Sequence, residues 1–345
     1  MAQDETQAPS TLMLQSFSGL KNTVSKHRLS PSELEKAVNI DLDDIGHVRR
    51  RRGFSLKLAG DFHSVENVGS LILGVKDDLL GIINADYTFT SLGADVGSTR
   101  VAYQDINDTV YWANSRLSGK IVANVNSAWG QQVSESEWLS PVVVPTTYLQ
   151  PIAGKLIGPP PLASYMTYLN GRIYLANDRV IWATELYLYD YVDKTKNFIQ
   201  YEKPITGLGA TPEGMYVGTT DAVWWMSGPF AQMARKKVVS SGMIPGSMRK
   251  VRASLIDPKL RQSNAEGDGL IFMTDAGVYV AFDNGTCYNL THDQYDFPKG
   301  VSVAPLLREQ DGMAQYLAVL DSGGTPANNS RIGDYVDAEI VRAGT

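Results

Sequence analysis

Turn-forming dipeptides punctuate this chain every few residues, and the segments between them are too short for anything but strands. The stretch "SYMTYLNGRIYLANDRVIWATEL" (164–186) shows the pattern most clearly. Asn170-Gly171 is a strong two-residue hairpin signal, because both turn positions need positive φ. Asn177-Asp178 predicts the next turn. "SLILGVKDDLLGIINADYTFTSL" (70–92) and "VAYQDINDTVYWANSRLSGKIVANV" (101–125) repeat the form, with turns expected at Asp77-Asp78, at Asn107-Asp108 and near Gly119. "TPEGMYVGTTDAVWWMSG" (211–228), "GDGLIFMTDAGVYVAFDNGTCYNLT" (267–291) and "GMAQYLAVLDSGG" (312–324) follow. Alternating aromatic and β-branched residues between such turns make half-buried strands.

These segments are degenerate copies of one unit, with aromatics recurring at Tyr111, Trp112, Tyr174, Trp182, Trp224, Trp225 and Tyr279. Four-stranded units of roughly 40–50 residues are the sequence form of a β-propeller. The fold class expected is all-β, an irregular propeller of about five to seven blades. A pair of β-sandwiches is the rival, and predicts strand pairing across longer gaps. The expected division is a loose tail over 1–11, an N-terminal arm over 12–57 and the propeller over 58–345. Two long insertions interrupt the propeller, a Pro-rich one at about 142–164 and a basic one at about 235–261.

Within the arm, "LSPSELEKAV" predicts a short helix, with Ser30 as N-cap, Pro31 at the first helical position and Glu33 closing a capping box. A charged hairpin follows in "AVNIDLDDIGHVRRRRGF" (37–54). Strand side chains alternate faces, so Arg49 and Arg51 point one way and Arg50 and Arg52 the other. Three uses remain open for the run: pairing with the Asp41/Asp43/Asp44 arm, facing a neighbouring subunit, or contacting DNA phosphate.

The basic segment carries Arg235, Lys236, Lys237, Arg249, Lys250, Arg252, Lys259 and Arg261 against Asp257. Its local charge is +7 in a chain of net charge -6, leaving -13 on the remainder. An identical neighbour would offer it an acidic surface, which makes Arg235, Lys236, Lys237, Arg249, Lys250 and Arg252 interface candidates beside Arg49–Arg52.

Chemistry-bearing motifs are sparse. Asn39, Asp41, Asp43 and Asp44 resemble a Ca2+ loop, but the sixth and twelfth positions hold Asp44 and Arg50 instead of Gly and Glu. "GLGATPEG" (207–214) places Pro212 where a phosphate loop needs its third glycine. His27, His47, His63 and His292 lack zinc-hydrolase spacing. Glu185, Asp190 and Asp193 in "ATELYLYDYVD" form a weak sugar-site signature. The single cysteine, Cys287, reads as a buried inert thiol and excludes a disulfide scaffold. No catalytic residue, cofactor or metal is expected. No apolar run approaches the roughly 18 residues that span a bilayer, and the acidic start "MAQDETQAPS" lacks the form of a signal peptide.

The 18–54 segment, "SGLKNTVSKHRLSPSELEKAVNIDLDDIGHVRRRRGF", resembles the N-terminal segment of tailed-bacteriophage virion proteins, where a short helix precedes an N-x-D-x-D-x-x-G-x-x-R-R-R-x-G pattern. "NGRIYLANDRVIWATEL" and "NFIQYEKPITGLGATPEGMYVGTTDAVWWMSG" resemble central blades of the propeller-like tail nozzle and tail tubular proteins of short-tailed phages. The resemblance implies a non-enzymatic virion component, made in the bacterial cytoplasm. It further implies a homo-oligomeric ring, for which sixfold symmetry is one candidate, that docks adaptor and fibre proteins and transiently contacts genomic DNA. The alternative from another class is a propeller lectin or glycan-degrading enzyme acting on host surface polysaccharide.

Overall fold

The computed structural model describes residues 16–38, 40–42, 46–50, 55–130, 157–252, 268–294, 300–310, 313–321 and 341–342. Among the described residues, six antiparallel sheets follow one another along the chain as the blades of an irregular β-propeller. Blade 1 comprises Phe62–Val68, Leu71–Lys76, Leu79–Ile83 and Phe89–Asp95. Blade 2 comprises Ala102–Ile106, Thr109–Ala113, Ser118–Val122 and Val125–Ala128. Blade 3 is built from Tyr165–Leu169, Arg172–Asn177, Val180–Ala183 and Phe198–Gln200. Blade 4 is built from Ile205–Thr211, Gly214–Thr219, Val223–Ser227 and Ala234–Val239. Blade 5 holds Arg249–Arg252, Asp268–Thr274, Gly277–Ala281 and Cys287–Asn289. The described strands of blade 6 are Ser302–Gln310, Met313–Asp321 and Val341–Arg342.

Turn chemistry sets these registers. Asp77-Asp78, Asn107-Asp108, Ala123-Asn124 and Asn170-Gly171 all have φ between 47° and 78° at both positions, the type I′ geometry whose twist matches paired strands. The turn expected at Asn177-Asp178 lies one residue later, because Asn177 pairs with Val180. The turn expected near Gly119 lies at residues 114–117, where the Arg116 and Leu117 amides donate to Asn114 Oδ1, and Gly119 itself is inside the next strand opposite Trp112.

Each blade buries apolar residues against the next, not within itself. Leu73, Val75 and Leu80 of blade 1 share a core with Tyr103, Val110 and Trp112 of blade 2. Tyr111 and Ala113 join Met166, Ile173 and Leu175 between blades 2 and 3. The same sharing recurs between blades 3 and 4, 4 and 5, and 5 and 6. The aromatics do not occupy one equivalent register: Tyr111, Trp112 and Tyr174 lie on second strands, while Trp182, Trp224, Trp225 and Tyr279 lie on third strands.

The arm departs from its expected form. The segment predicted as a helix contains Glu33–Leu34 as a strand, parallel to Gly19–Leu20, and among the described residues of the arm the one helical turn is a 3-10 turn at Lys26–Arg28. The capping-box contact does form, with the Ser30 amide donating to Glu33 Oε2 at 2.8 Å. It closes a turn, and strand pairing then takes the chain. The expected hairpin is present as Ile40–Leu42 against Val48–Arg50.

The basic segment is likewise not one inserted loop. Arg235, Lys236 and Lys237 lie on the outer strand of blade 4, and Arg249, Lys250 and Arg252 on the first strand of blade 5. Met243 and Ile244 between them are core residues, each 2% exposed. Of the Pro-rich insertion, 142–156 lies outside the described residues, and Ile157–Gly158 pairs with Val192–Asp193.

Candidate functional site

Three charged features stand out, and the first is the arm hairpin. Asp41, only 6% exposed, faces blade 6, where Arg308 Nη2 donates to its Oδ2 at 3.4 Å. Arg308 is itself oriented by Gln315, which accepts from its Nε at 2.9 Å. Upstream, the Asn22 amide donates to the Gln294 carbonyl at 3.0 Å and Thr23 Oγ1 to the Asp293 carbonyl at 2.7 Å. The arm therefore straps the outer end of blade 5 to blade 6. Across the hairpin, Arg49 and Arg50 are both exposed. Asn39, Asp43, Asp44, Arg51 and Arg52 lie outside the described residues.

The second feature is the outer edge of blade 4, where Arg235, Lys236 and Lys237 are exposed in succession. The Arg235 guanidinium lies 5.4 Å from the Tyr201 ring centroid, and Lys237 Nζ 5.2 Å from that of Trp224. Arg235 Nη1 also donates to the Gln200 carbonyl at 3.1 Å. Cations on an edge strand discourage unwanted strand pairing, and the aromatic contacts hold these ones in place.

The third lies at the propeller axis and has no counterpart in any local sequence pattern. Arg100, just before the first strand of blade 2, reaches the connection into blade 5 and donates from Nη1 to the Gly246 carbonyl at 3.4 Å. Gly246 has φ +82°, and a Cβ there would stand 2.3 Å from that nitrogen. One residue on, the Ser247 carbonyl accepts from Tyr316 of blade 6 at 2.6 Å. Arg249 opens the blade 5 strand beside them and donates to the Met248 carbonyl at 3.2 Å. Burial, then the neighbouring Arg249 charge, lower the Arg100 pKa, while Glu66, Tyr165 and Tyr103 oppose the shift. Tyr103 is 8% exposed and its hydroxyl has no hydrogen-bond partner among the described residues; burial raises its pKa.

The remaining candidates are absorbed by the fold. Glu185 accepts from Asn197 at 3.0 Å, Asp190 pairs with Lys120 of blade 2 at 2.8 Å, and Asp193, 1% exposed, accepts from Thr195. "GLGATPEG" is the first hairpin of blade 4. Its glycines make room for methionine, since a Cβ would stand 2.5 Å from Met243 Sδ at Gly207 and 2.3 Å from Met248 Sδ at Gly209. Among the described residues, no three His, Cys, Asp or Glu side chains form a group that could hold a metal ion. Cys287 is half-buried, and burial pushes its thiol up to about 12, far from the nucleophilic range.

No known family's sequence profile matches the chain, and no curated protein does. Among solved structures it is similar to the BBS1N domain crystallised in complex with ARL6DN, with 12% identity and a TM-score of 0.46, covering 81% of this chain and 80% of that one. It is similar to the Neurospora crassa Pan2 WD40 domain, with 10% identity and a TM-score of 0.42, covering 78% of each chain. It is also similar to PorZ, a surface component of the type-IX secretion system of Porphyromonas gingivalis, with 12% identity and a TM-score of 0.40, covering 74% of this chain but 30% of that one.

Proposed function

We propose that this chain is a structural component of a tailed-phage virion, a propeller that assembles with copies of itself and with other tail proteins through its N-terminal arm. The observation that carries the reading is the two-sided hairpin. One strand is pinned to blade 6 through Asp41 and Arg308, while the other holds Arg49 and Arg50 in solvent. An anchored base with an outward cationic edge suits docking on an acidic neighbour, where charge speeds and orients association. The resemblance of the arm to virion proteins and the basic edge of blade 4 support the same reading.

Arg100 and Gly246 bridge the propeller axis, so any conduit for DNA in this reading runs between copies and not through one propeller. Glu185, Asp190 and Asp193, the carboxylates of the weak sugar-site signature, are engaged within the fold. The test is a double charge reversal, Arg49→Glu with Arg50→Glu. The expected result is loss of incorporation into particles with an unchanged melting curve, because neither side chain is buried. Normal incorporation of the folded variant would refute the docking role.

A further inference from the structure

The axial cluster holds more hydrogen-bonding capacity than the fold uses. Each guanidinium carries five N–H donors in a planar fork. Among the described residues, Arg100 meets one carbonyl, that of Gly246, and Arg249 meets one, that of Met248. Both are half-buried, so solvent reaches them only in part. Tyr103 adds a buried hydroxyl with no partner among the described residues. The neighbouring Arg249 charge acts against that of Arg100, and the buried polar atom left unmet beside them among the described residues is the Tyr103 hydroxyl. Such groups normally occur where something completes them.

From this arrangement we infer that the end of the axis formed by Arg100, Arg249 and Tyr103 is a binding site for a carboxylate group. Charge decides between oxyanions. Glu66 is the acid whose charge acts on Arg100, so Arg100, Arg249 and Glu66 together carry one net positive charge. A singly charged carboxylate neutralises that excess, whereas a phosphate dianion overshoots it and meets about twice the repulsion from Glu66. Geometry agrees, because a planar guanidinium fork matches a planar carboxylate through two parallel N–H···O bonds. Gly246 keeps the position open, since any side chain there would meet the Arg100 fork.

The experiment uses the full chain labelled with 15N-arginine. The Arg Nε–Hε resonances are followed while acetate is added at constant ionic strength against chloride, with inorganic phosphate as comparator. Triglycine with a free C-terminal carboxylate, and its amide, test whether a polypeptide terminus is accepted. The expected result is a saturable shift of two arginine resonances with acetate and with triglycine acid, none with the amide, and weaker binding of phosphate. Arg249→Gln should abolish saturation, and Tyr103→Phe should weaken it several-fold while leaving the fold intact. If Arg249→Gln does not fold, Arg249→Lys keeps the charge but loses the fork, and about tenfold weaker binding is expected. A response to acetate that is linear, or the same in the folded Arg249 variant, overturns the site. Tighter binding of phosphate, or equal binding of the triglycine amide, overturns its assignment to carboxylates.

Discussion

Gly171→Val tests the hairpin geometry on which blade 3 depends. Asn170 and Gly171 have φ of +49° and +77°, a region that costs an ordinary L-residue about 1–2 kcal/mol. A Cβ at Gly171 would also stand 2.8 Å from both Leu186 Cδ1 and Tyr187 Cε1. Those side chains are 48% and 66% exposed, so they can swing aside. The Tyr187 amide, bonded to the Gly171 carbonyl at 2.8 Å, cannot follow without breaking that bond. Backbone strain therefore dominates for alanine, at about 1–2 kcal/mol, and the branched valine raises the total to about 3 kcal/mol. Unfolding entropy of about 2.1 cal/mol/K per residue over this chain converts 3 kcal/mol to a fall in Tm of about 4 °C. Gly171→Asn is the control, because asparagine tolerates the left-handed region yet adds the same Cβ. It should cost less than half as much as valine. Equal losses for Asn and Val would show that crowding, not backbone conformation, sets the cost. An unchanged Tm for Val would refute the turn.

Other perturbations probe the arm, the core and the basic edge. Arg308→Met removes the guanidinium beside the buried Asp41 carboxylate and should free the arm, read as faster proteolysis between residues 16 and 50 with blades 1–5 still protected; an unaltered cleavage pattern would show that the ion pair does not hold the strap. Burial pushes Tyr111 and Tyr174 up to about 12. A raised folded pKa on these acids leaves stability complete below about pH 10, where unfolded tyrosine is neutral, and removes about 1.4 kcal/mol per pH unit per group above it, so urea midpoints should fall from pH 10 to pH 12. Tyr111→Phe should flatten that slope, and a slope identical to wild type would contradict the assignment. Arg235→Glu with Lys237→Glu breaks two cation–π contacts and should cost about 1–2 kcal/mol in a urea titration; no loss would make these contacts incidental.

Strand boundaries and hairpins were legible because turn chemistry is local. Asp77-Asp78, Asn107-Asp108 and Asn170-Gly171 each declare their geometry in two residues. The helix expected after Ser30 failed for a related reason. Its capping contact with Glu33 formed, but a helix of two turns has little stability of its own, and pairing of Glu33–Leu34 with Gly19–Leu20 offered the backbone another partner. The basic segment misled because charge counted along the chain ignores where strands carry it: Lys237 and Arg249 are twelve residues apart yet belong to different blades. The axial cluster was beyond reach altogether. Glu66, Arg100, Tyr103 and Arg249 come from three blades and the connection between two of them, and only the circular arrangement of those blades makes them neighbours.

The shared cores carry an evolutionary consequence. Each of blades 2 to 5 shares its apolar surface with both neighbours, so any one of them excised from this chain would leave both of its faces wet. A duplication or loss of one blade must remake two junctions at once, with Trp112 or Tyr216 finding a new wall to lie against. Drift is cheap in such a molecule and renumbering is not. Sequence similarity between blades can therefore fade almost completely while the count of blades stays frozen.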